Sequence, residues 1–270
     1  MNNYQLELTI AKELAKEAGA IMLKYFNSAA AKPTEKSDRT LVTKADIEIN
    51  QRVIERLRQE TPTYSIHGEE QSFAVAGSDY TWVCDPVDGT MPFAKALPLS
   101  TFSLGLVDPN GTSVLGVVYD PFQDRLFEAI KGKGAFVNGT PMAVSDKDTL
   151  ENAYIDEELW INRQEGVRFD DPKDLLNKKG AQVTTYCSAV IAGCQVARGA
   201  FDAMLFGQGK PEDIAALSVI VTEAGGKVTD LFGHEQRYDR NIKGAVVSNG
   251  LVHDEICAIL QNINYSSNYL

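Results

Sequence analysis

The chain has 270 residues, enough to bury a full core as one large domain or two lobes, and 44% hydrophobic with 23% charged residues is ordinary for a soluble globular protein. A formal net charge of -11 argues against non-specific binding of DNA or RNA, which needs a basic face. No apolar run approaches a membrane span, and no basic region followed by an apolar stretch opens the chain as a secretory signal, so a cytoplasmic enzyme is expected.

Leu6, Ile10, Leu14, Ala18, Ile21 and Tyr25 recur at helical spacing and predict an amphipathic helix over 4–27. A small, polar segment from Asn27 to Arg39, broken by Pro33, reads as a mobile loop that could close over a site (28–40). A second helix fits 43–60, with Thr43 as cap, Asp46 in the first turn, and Ile47, Asn50, Val53, Ile54 and Leu57 on its inner face. The β-prone run Thr81 to Cys84 reads as a buried strand end leading into a turn at Pro86. Thr101 to Val107 alternates, and Ser113 to Tyr119 and Arg125 to Ile130 follow across Asp108–Gly111 and Asp120-Pro121 turns. Further turns at 131–134 and Asn138-Gly139 complete an antiparallel meander. Beyond residue 150 the pattern changes to alternating strand and helix. Strands are predicted at 153–155, 183–185, 201–206 and 245–248. Helices are predicted at 188–198, at 212–224 where Gly225-Gly226 ends it, and at 251–262, with a frayed tail from Asn264. The expected organisation is a single domain, 1–270, with subdomains near 1–150 and 151–270.

The densest chemistry lies in Asp85-Pro86-Val87-Asp88-Gly89-Thr90. Two carboxylates three residues apart, a proline and a glycine that lets the backbone approach a ligand are the parts of a metal and phosphate site. If a helix starts near Gly89, its free N–H groups face an anion. Acids on the buried side of a strand end are costly unless something binds them. Three other acidic signals could converge with it: Asp46, Gly68-Glu69-Glu70 and Asp213. Taken singly, Asp46 and Asp213 read as helix caps or dipole partners, and Glu69 and Glu70 as surface charge. Two divalent cations about 3.5–4 Å apart can clamp the attacking and leaving oxygens of a phosphoryl displacement. Asp85 is the natural bridging ligand, and the Val87 carbonyl could supply another. Alternatives lack their parts. There is no G-x-S-x-G turn for a serine nucleophile and no G-x-x-x-x-G-K-[ST] loop. His67 reads as structural. Cys84, Cys187, Cys194 and Cys257 form no C-x-x-C pair and read as buried thiols in a reducing compartment rather than zinc ligands.

The motifs Leu41–Asp46, Gly68-Glu69-Glu70, Trp82–Phe93, Leu99–Ser103, Gly116–Pro121, Gly132–Phe136 and Asp213–Gly226 stand in one order over nearly the whole chain. In them the chain resembles the inositol monophosphatase family of magnesium-dependent, lithium-sensitive sugar phosphatases. The resemblance implies a layered αβαβα sandwich, α+β or α/β in class, with a meander sheet in the N-terminal half, a smaller mixed α/β C-terminal half, and assembly as a homodimer. It implies two to three Mg2+ ions: one on Glu69, Asp85 and the Val87 carbonyl, one on Asp85, Asp88 and Asp213, and a weaker one on Glu69 and water. It further implies that Gly89 and Thr90 hold the phosphate through backbone N–H groups, and that Asp46, Thr90 and Glu69 serve catalysis, Asp46 and Thr90 by orienting and deprotonating the attacking water.

The chain departs from the family pattern in its substrate wall. Pro211-Glu212 precede Asp213 where an aromatic is usual, Leu217 replaces a small residue, and Cys84 replaces an aliphatic. Phe206 stands where animal members carry an acid that contacts inositol hydroxyls. Ser188, in the turn Cys187-Ser188-Ala189, is a candidate substrate contact. The expected function is a phosphomonoesterase for a small phosphorylated metabolite of the inositol or sugar monophosphate class, with neither nucleic acid nor membrane as partner. Fructose 1,6-bisphosphate, histidinol phosphate, a 3′-phosphonucleotide or NADP(H) are alternative substrates. A phosphatase-like regulatory or binding protein and a metal-dependent nuclease are the alternatives from other classes; the intact carboxylate set and the acidic balance count against them.

Overall fold

The computed structural model describes residues 3–36, 40–159 and 172–262; the tail read from Asn264 lies outside them. Helix α1 (Gln5–Tyr25) buries a stripe of Leu8, Ala11, Leu14, Ala15, Ala18 and Met22. The segment after it carries a short 3-10 turn at Ala29–Ala31 and a two-rung ladder between β1 (Thr34–Glu35) and β2 (Leu41–Val42). Helix α2 (Lys44–Glu60) starts at Thr43, whose side chain and Asp46 form a reciprocal capping box. Its buried stripe runs Asp46, Ile49, Asn50, Val53 and Leu57, so Ile47 falls beside it and is 52% exposed rather than inward as its spacing suggested.

The meander follows as β3 (Ser65–Gly68), β4 (Thr81–Asp88), β5 (Thr101–Val107), β6 (Ser113–Asp120), β7 (Arg125–Ile130), β8 (Ala135–Val137) and β9 (Thr140–Pro141), paired in that order. It is antiparallel from β4 onward, but β3, which no sequence signal marked, lies parallel to β4. The indole of Trp82 on β4 is fully buried and donates to the Thr61 hydroxyl at 3.1 Å, which satisfies its one polar atom. Helix α3 (Thr90–Ala94) leaves the end of β4. The second sheet has the order β11-β10-β12-β14-β13, from β10 (Tyr154–Glu158), β11 (Gln182–Thr184), β12 (Ala203–Phe206), β13 (Lys227–Thr229) and β14 (Ala245–Ser248). Strands β10, β11 and β12 are parallel; β14 runs antiparallel to β12 and β13.

Helices α4 (Pro172–Lys178), α5 (Ala189–Ala197), α6 (Ala215–Glu223) and α7 (His253–Gln261) complete five layers. Helices α1 and α2 cover one face of the meander, α5 and α6 fill the space between the sheets, and α4 and α7 cover the outer face of the second sheet. The expected αβαβα sandwich is the fold. Every residue of β5 and β6 is buried, because both faces of the meander are covered; the alternation of Thr101 to Val107 therefore marks no solvent face.

Helix α6 sits unusually close to the meander. Gly105 and Gly116 face each other across β5 and β6. A Cβ on Gly116 would lie 2.4 Å from the Ala216 carbonyl oxygen, and one on Gly105 would lie 2.9 Å from the Ala216 nitrogen. Leu217, large where a small residue was expected, is accommodated by Gly193 of α5, where a Cβ would meet its Cδ1 at 2.4 Å. In the outer layer, His253 is fully buried. The Thr229 hydroxyl donates to the Asp230 carbonyl at 2.8 Å, so the His253 Nε2–H donates to Thr229 at 2.9 Å, and Nδ1 accepts from Ser248 at 2.7 Å.

Two stability outcomes are expected. Gly116→Ala should destabilise the protein by about 2 kcal/mol or more in urea melts, because backbone on the facing helix has nowhere to move. Burial, with the charge of Lys227 adding, lowers the His253 pKa from 6.5 to about 4, so the unfolded chain takes up a proton that the folded one refuses. This contribution to stability is full above pH 6.5 and is lost as pH drops toward about 4, so the melting temperature of the parent should fall relative to that of His253→Asn over that window.

Candidate metal centre

The expected turn at Pro86 is instead part of β4. Asp85 pairs with Ser103 and Asp88 with Thr101, so three steps on β4 oppose two on β5, which is a bulge. Proline is tolerated there because a bulged residue owes no ladder N–H. The extra residue re-aims the strand end, and Asp85 and Asp88 both line one cavity of about 370 Å³. Asp213 lines the same cavity. It lies not in the first turn of a helix running from 212 but in a separate 3-10 turn (Pro211–Asp213) ahead of α6. His67 on β3 contacts Glu212 of that turn at 3.3 Å, which ties it to the meander edge and fits the structural reading of the histidine.

Asp85, Asp88 and Asp213 are all buried, and each offers a carboxylate oxygen within 4.8 Å of the others. No ion pair reaches them among the described residues. Burial first, then the charges of Glu69 and Asp213, pushes the Asp85 carboxyl well above its usual range. Burial and Asp88 do the same to Asp213. Asp88 is pushed up to about 7 by burial and by Glu158, against three hydrogen bonds that favour its charge. These come to one oxygen: from Thr101 at 3.3 Å, from the Val190 N–H at 3.1 Å, and from the Ser188 hydroxyl. Ser188 is the N-cap of α5, so Asp88 sits at that helix's positive end. Asp85 accepts the Val87 N–H at 3.0 Å.

Glu69 follows β3 and donates its N–H to the Cys84 carbonyl at 3.1 Å, beside Asp85. It lines the cavity, and its carboxylate groups with those of Asp46 and Glu70 within 4.8 Å. Two ammonium groups reach this second group. Lys210 lies 2.7 Å from Glu69; Lys36 lies 2.5 Å from Glu70 and 3.5 Å from Glu69. Asp46 accepts the Thr43 N–H at 2.8 Å through Oδ2, and the Thr90 hydroxyl is 3.4 Å from its Oδ1 and 3.2 Å from the Val87 carbonyl. Burial pushes Asp46 up to about 7, with Glu69 and Glu70 adding to it against the bonds from Thr43.

Gly89 has φ 78 and caps α3, a left-handed conformation that favours glycine, and both Gly89 and Thr90 line the cavity. Phe206 lines the cavity at the end of β12, opposite Glu158 in the ladder with β10. Ser188 is buried, with its hydroxyl on Asp88, while Cys187 and Ala189 on either side line the cavity. Sequence reasoning missed Lys36, Glu158, Gln208 and Lys210. Glu158 ends a strand whose apolar signal stops at Ile155, Lys36 sits in a segment read only as a loop, and nothing local marked Gln208. The dipeptide Lys210-Pro211 was the one available cue to a pinned backbone.

The donor set fits a hard divalent cation. It is all oxygen, it is buried, and its members repel one another unless a cation lies between them. A model of the inositol monophosphatase family matches residues 3–265. The chain is 33% identical over 268 residues to inositol monophosphatase 1 of Solanum lycopersicum, covering 96% of each. It is 30% identical over 265 residues to a protein of Aquifex aeolicus named fructose-1,6-bisphosphatase/inositol-1-monophosphatase, covering 96% of this chain and 97% of that one. A solved IMPase/NADP phosphatase complexed with Mg2+ and phosphate superposes with a TM-score of 0.81 at 26% identity, over 96% of this chain and 95% of the other. The match runs through every segment that lines the cavity, and the chain belongs to the inositol monophosphatase family.

Proposed function

We propose that the chain is a magnesium-dependent phosphomonoesterase acting on an inositol or sugar monophosphate. The observation that carries this reading is the cluster of Asp85, Asp88 and Asp213, three carboxylates withdrawn from water within 4.8 Å of one another, with no ion pair on them among the described residues. Asp85, Asp88 and Asp213 would hold one Mg2+, Glu69, Asp85 and the Val87 carbonyl a second, and Glu69 with water a third. When bound, magnesium supplies neutralisation of phosphoryl charge and a more acidic water.

The remaining work falls to the chain. Gly89 and Thr90, at the start of α3, hold the phosphate through backbone N–H groups. The Thr90 hydroxyl, between Asp46 and the Val87 carbonyl, orients the attacking water, and Asp46 takes the proton through it. Glu69 bounds the same water on the β3 side. Ser188 keeps Asp88 aimed into the cavity from beneath the substrate wall. Phe206 offers an apolar face to the substrate ring, and Glu158 beside it lines the same cavity while its Oε1 accepts the Ser188 N–H at 3.2 Å. A second reading, hydrolysis of fructose 1,6-bisphosphate, is favoured by Lys36 and Lys210 near the acidic wall, where a second phosphate would find cations, and by the name of the Aquifex relative. The free thiols Cys84, Cys187, Cys194 and Cys257 support a reducing, cytoplasmic setting, and a homodimer of single-domain chains belongs to the same reading.

Phosphate release should be measured across inositol 1-phosphate, fructose 1,6-bisphosphate, histidinol phosphate, a 3′-phosphonucleotide and NADP, with Mg2+ and with EDTA. Release from at least one ester with Mg2+, and its loss with EDTA, is expected; no release from any of them, or release indifferent to EDTA, would sink the reading. Asp85→Asn should lower the Mg2+-supported rate at least about 100-fold, since it removes a shared ligand. The same variant should melt at or above the parent's temperature in EDTA, because it removes a carboxyl whose charged form is disfavoured there by burial and by its acidic neighbours.

A further inference from the structure

We propose that Lys210 is a tethered counter-cation of the metal centre, one that occupies Glu69 in the metal-free protein and must be displaced before a divalent ion can use that carboxylate. The inference rests on the reading of Glu69 as a metal ligand.

The argument begins with Lys210-Pro211. A residue ahead of proline is pushed out of the helical region, and Lys210 is extended at φ -94, ψ 117. Its backbone is therefore pinned just before the 3-10 turn that carries Asp213, and the side chain lines the cavity. The ammonium lies 2.7 Å from Glu69 Oε1, and the two side chains are 28% and 12% exposed. Partly withdrawn from water, this pair is stronger than a surface ion pair. The same oxygen is 3.5 Å from Lys36, whose closer contact is Glu70 at 2.5 Å. The ammonium takes up one of the lone pairs that a hard cation needs and sets a positive charge beside the rest, so the two cations compete for the same carboxylate. The centre is thus asymmetric. Asp85, Asp88 and Asp213 carry no ion pair among the described residues, whereas Glu69 is already engaged. Metal binding at Glu69 breaks one ion pair, forms a metal–carboxylate bond and returns a solvated ammonium to the cavity. No covalent bond changes.

The test is calorimetric titration of the metal-free protein with Mn2+ alone, together with thermal melts in EDTA and in saturating Mg2+. Lys210→Gln should bind Mn2+ about fivefold tighter than the parent or better, the scale of one partly buried charged contact. Lys210→Met should repeat the gain, and Lys210→Arg, which keeps the cation, should track the parent. Lys210→Gln should also melt below the parent in EDTA, where Glu69 loses its partner, and the deficit should vanish or reverse in Mg2+. Lys36→Gln should change Mn2+ affinity less. Unchanged or weaker binding in both neutral variants, an equal gain from Lys36→Gln, or a melting deficit that persists in Mg2+ would overturn the inference. If the parent binds Mn2+ and the neutral variants match it, only this inference fails; if the parent binds none, the metal-centre reading fails with it.

Discussion

Like charges out of water are the constraint around which the molecule is arranged. Two carboxylates about 4 Å apart repel by about 4 kcal/mol at an effective dielectric near 20, and three are gathered here within 4.8 Å. A fold that wanted only stability would separate them or supply arginines. This one supplies neutral donors: the Val87 N–H on Asp85, and Thr101, Ser188 and the Val190 N–H on Asp88. Neutral donors fix direction without cancelling charge, which leaves the negative potential available to an incoming cation. The acids come from different layers. A strand bulge delivers two, and a turn anchored by His67 and Glu212 delivers the third. The cavity therefore exists only when the layers are assembled.

Two of the four departures from the family pattern meet neighbours that are distant in the chain. Leu217 is oversized along the chain, yet Gly193 faces it from α5 and leaves the room it needs. Phe206 removes an acid from β12, yet Glu158 stands beside it on β10 and lines the same cavity. Neither neighbour lies within ten residues in the sequence, so neither was legible there.

What was legible follows the range of the signal. Helices α1 and α2 and the strands β5 to β7 declare themselves through periodicity and punctuating turns, which are local. The stretch from Asp85 to Thr90 was readable because acids, proline and glycine so close together have few structural uses. Strand β3 was not, since four residues with Ile66 as their one large aliphatic make no pattern, and its partner lies across a loop. Pro86 suggested a turn where the chain makes a bulge, because proline reports a missing N–H and not which structure dispenses with it. Asp213 was read into a helix that in fact restarts after it, since the apolar spacing of 214–224 carries no mark of the break at Ile214. The ion pairs of Lys210 and Lys36 join residues more than thirty positions apart in the chain.

The bare strip formed by Gly105 and Gly116 reaches further than local packing. It lets α6 lie almost on the backbone of β5 and β6, and Asp213 enters the cavity from the turn that feeds this helix. The gap between Asp213 and the two acids of β4 is thus gauged by the depth of a groove that contains no acid at all. Two absent methyl groups act as the shim of the metal centre, and a lineage that filled either would have to re-space its ligands by some other means.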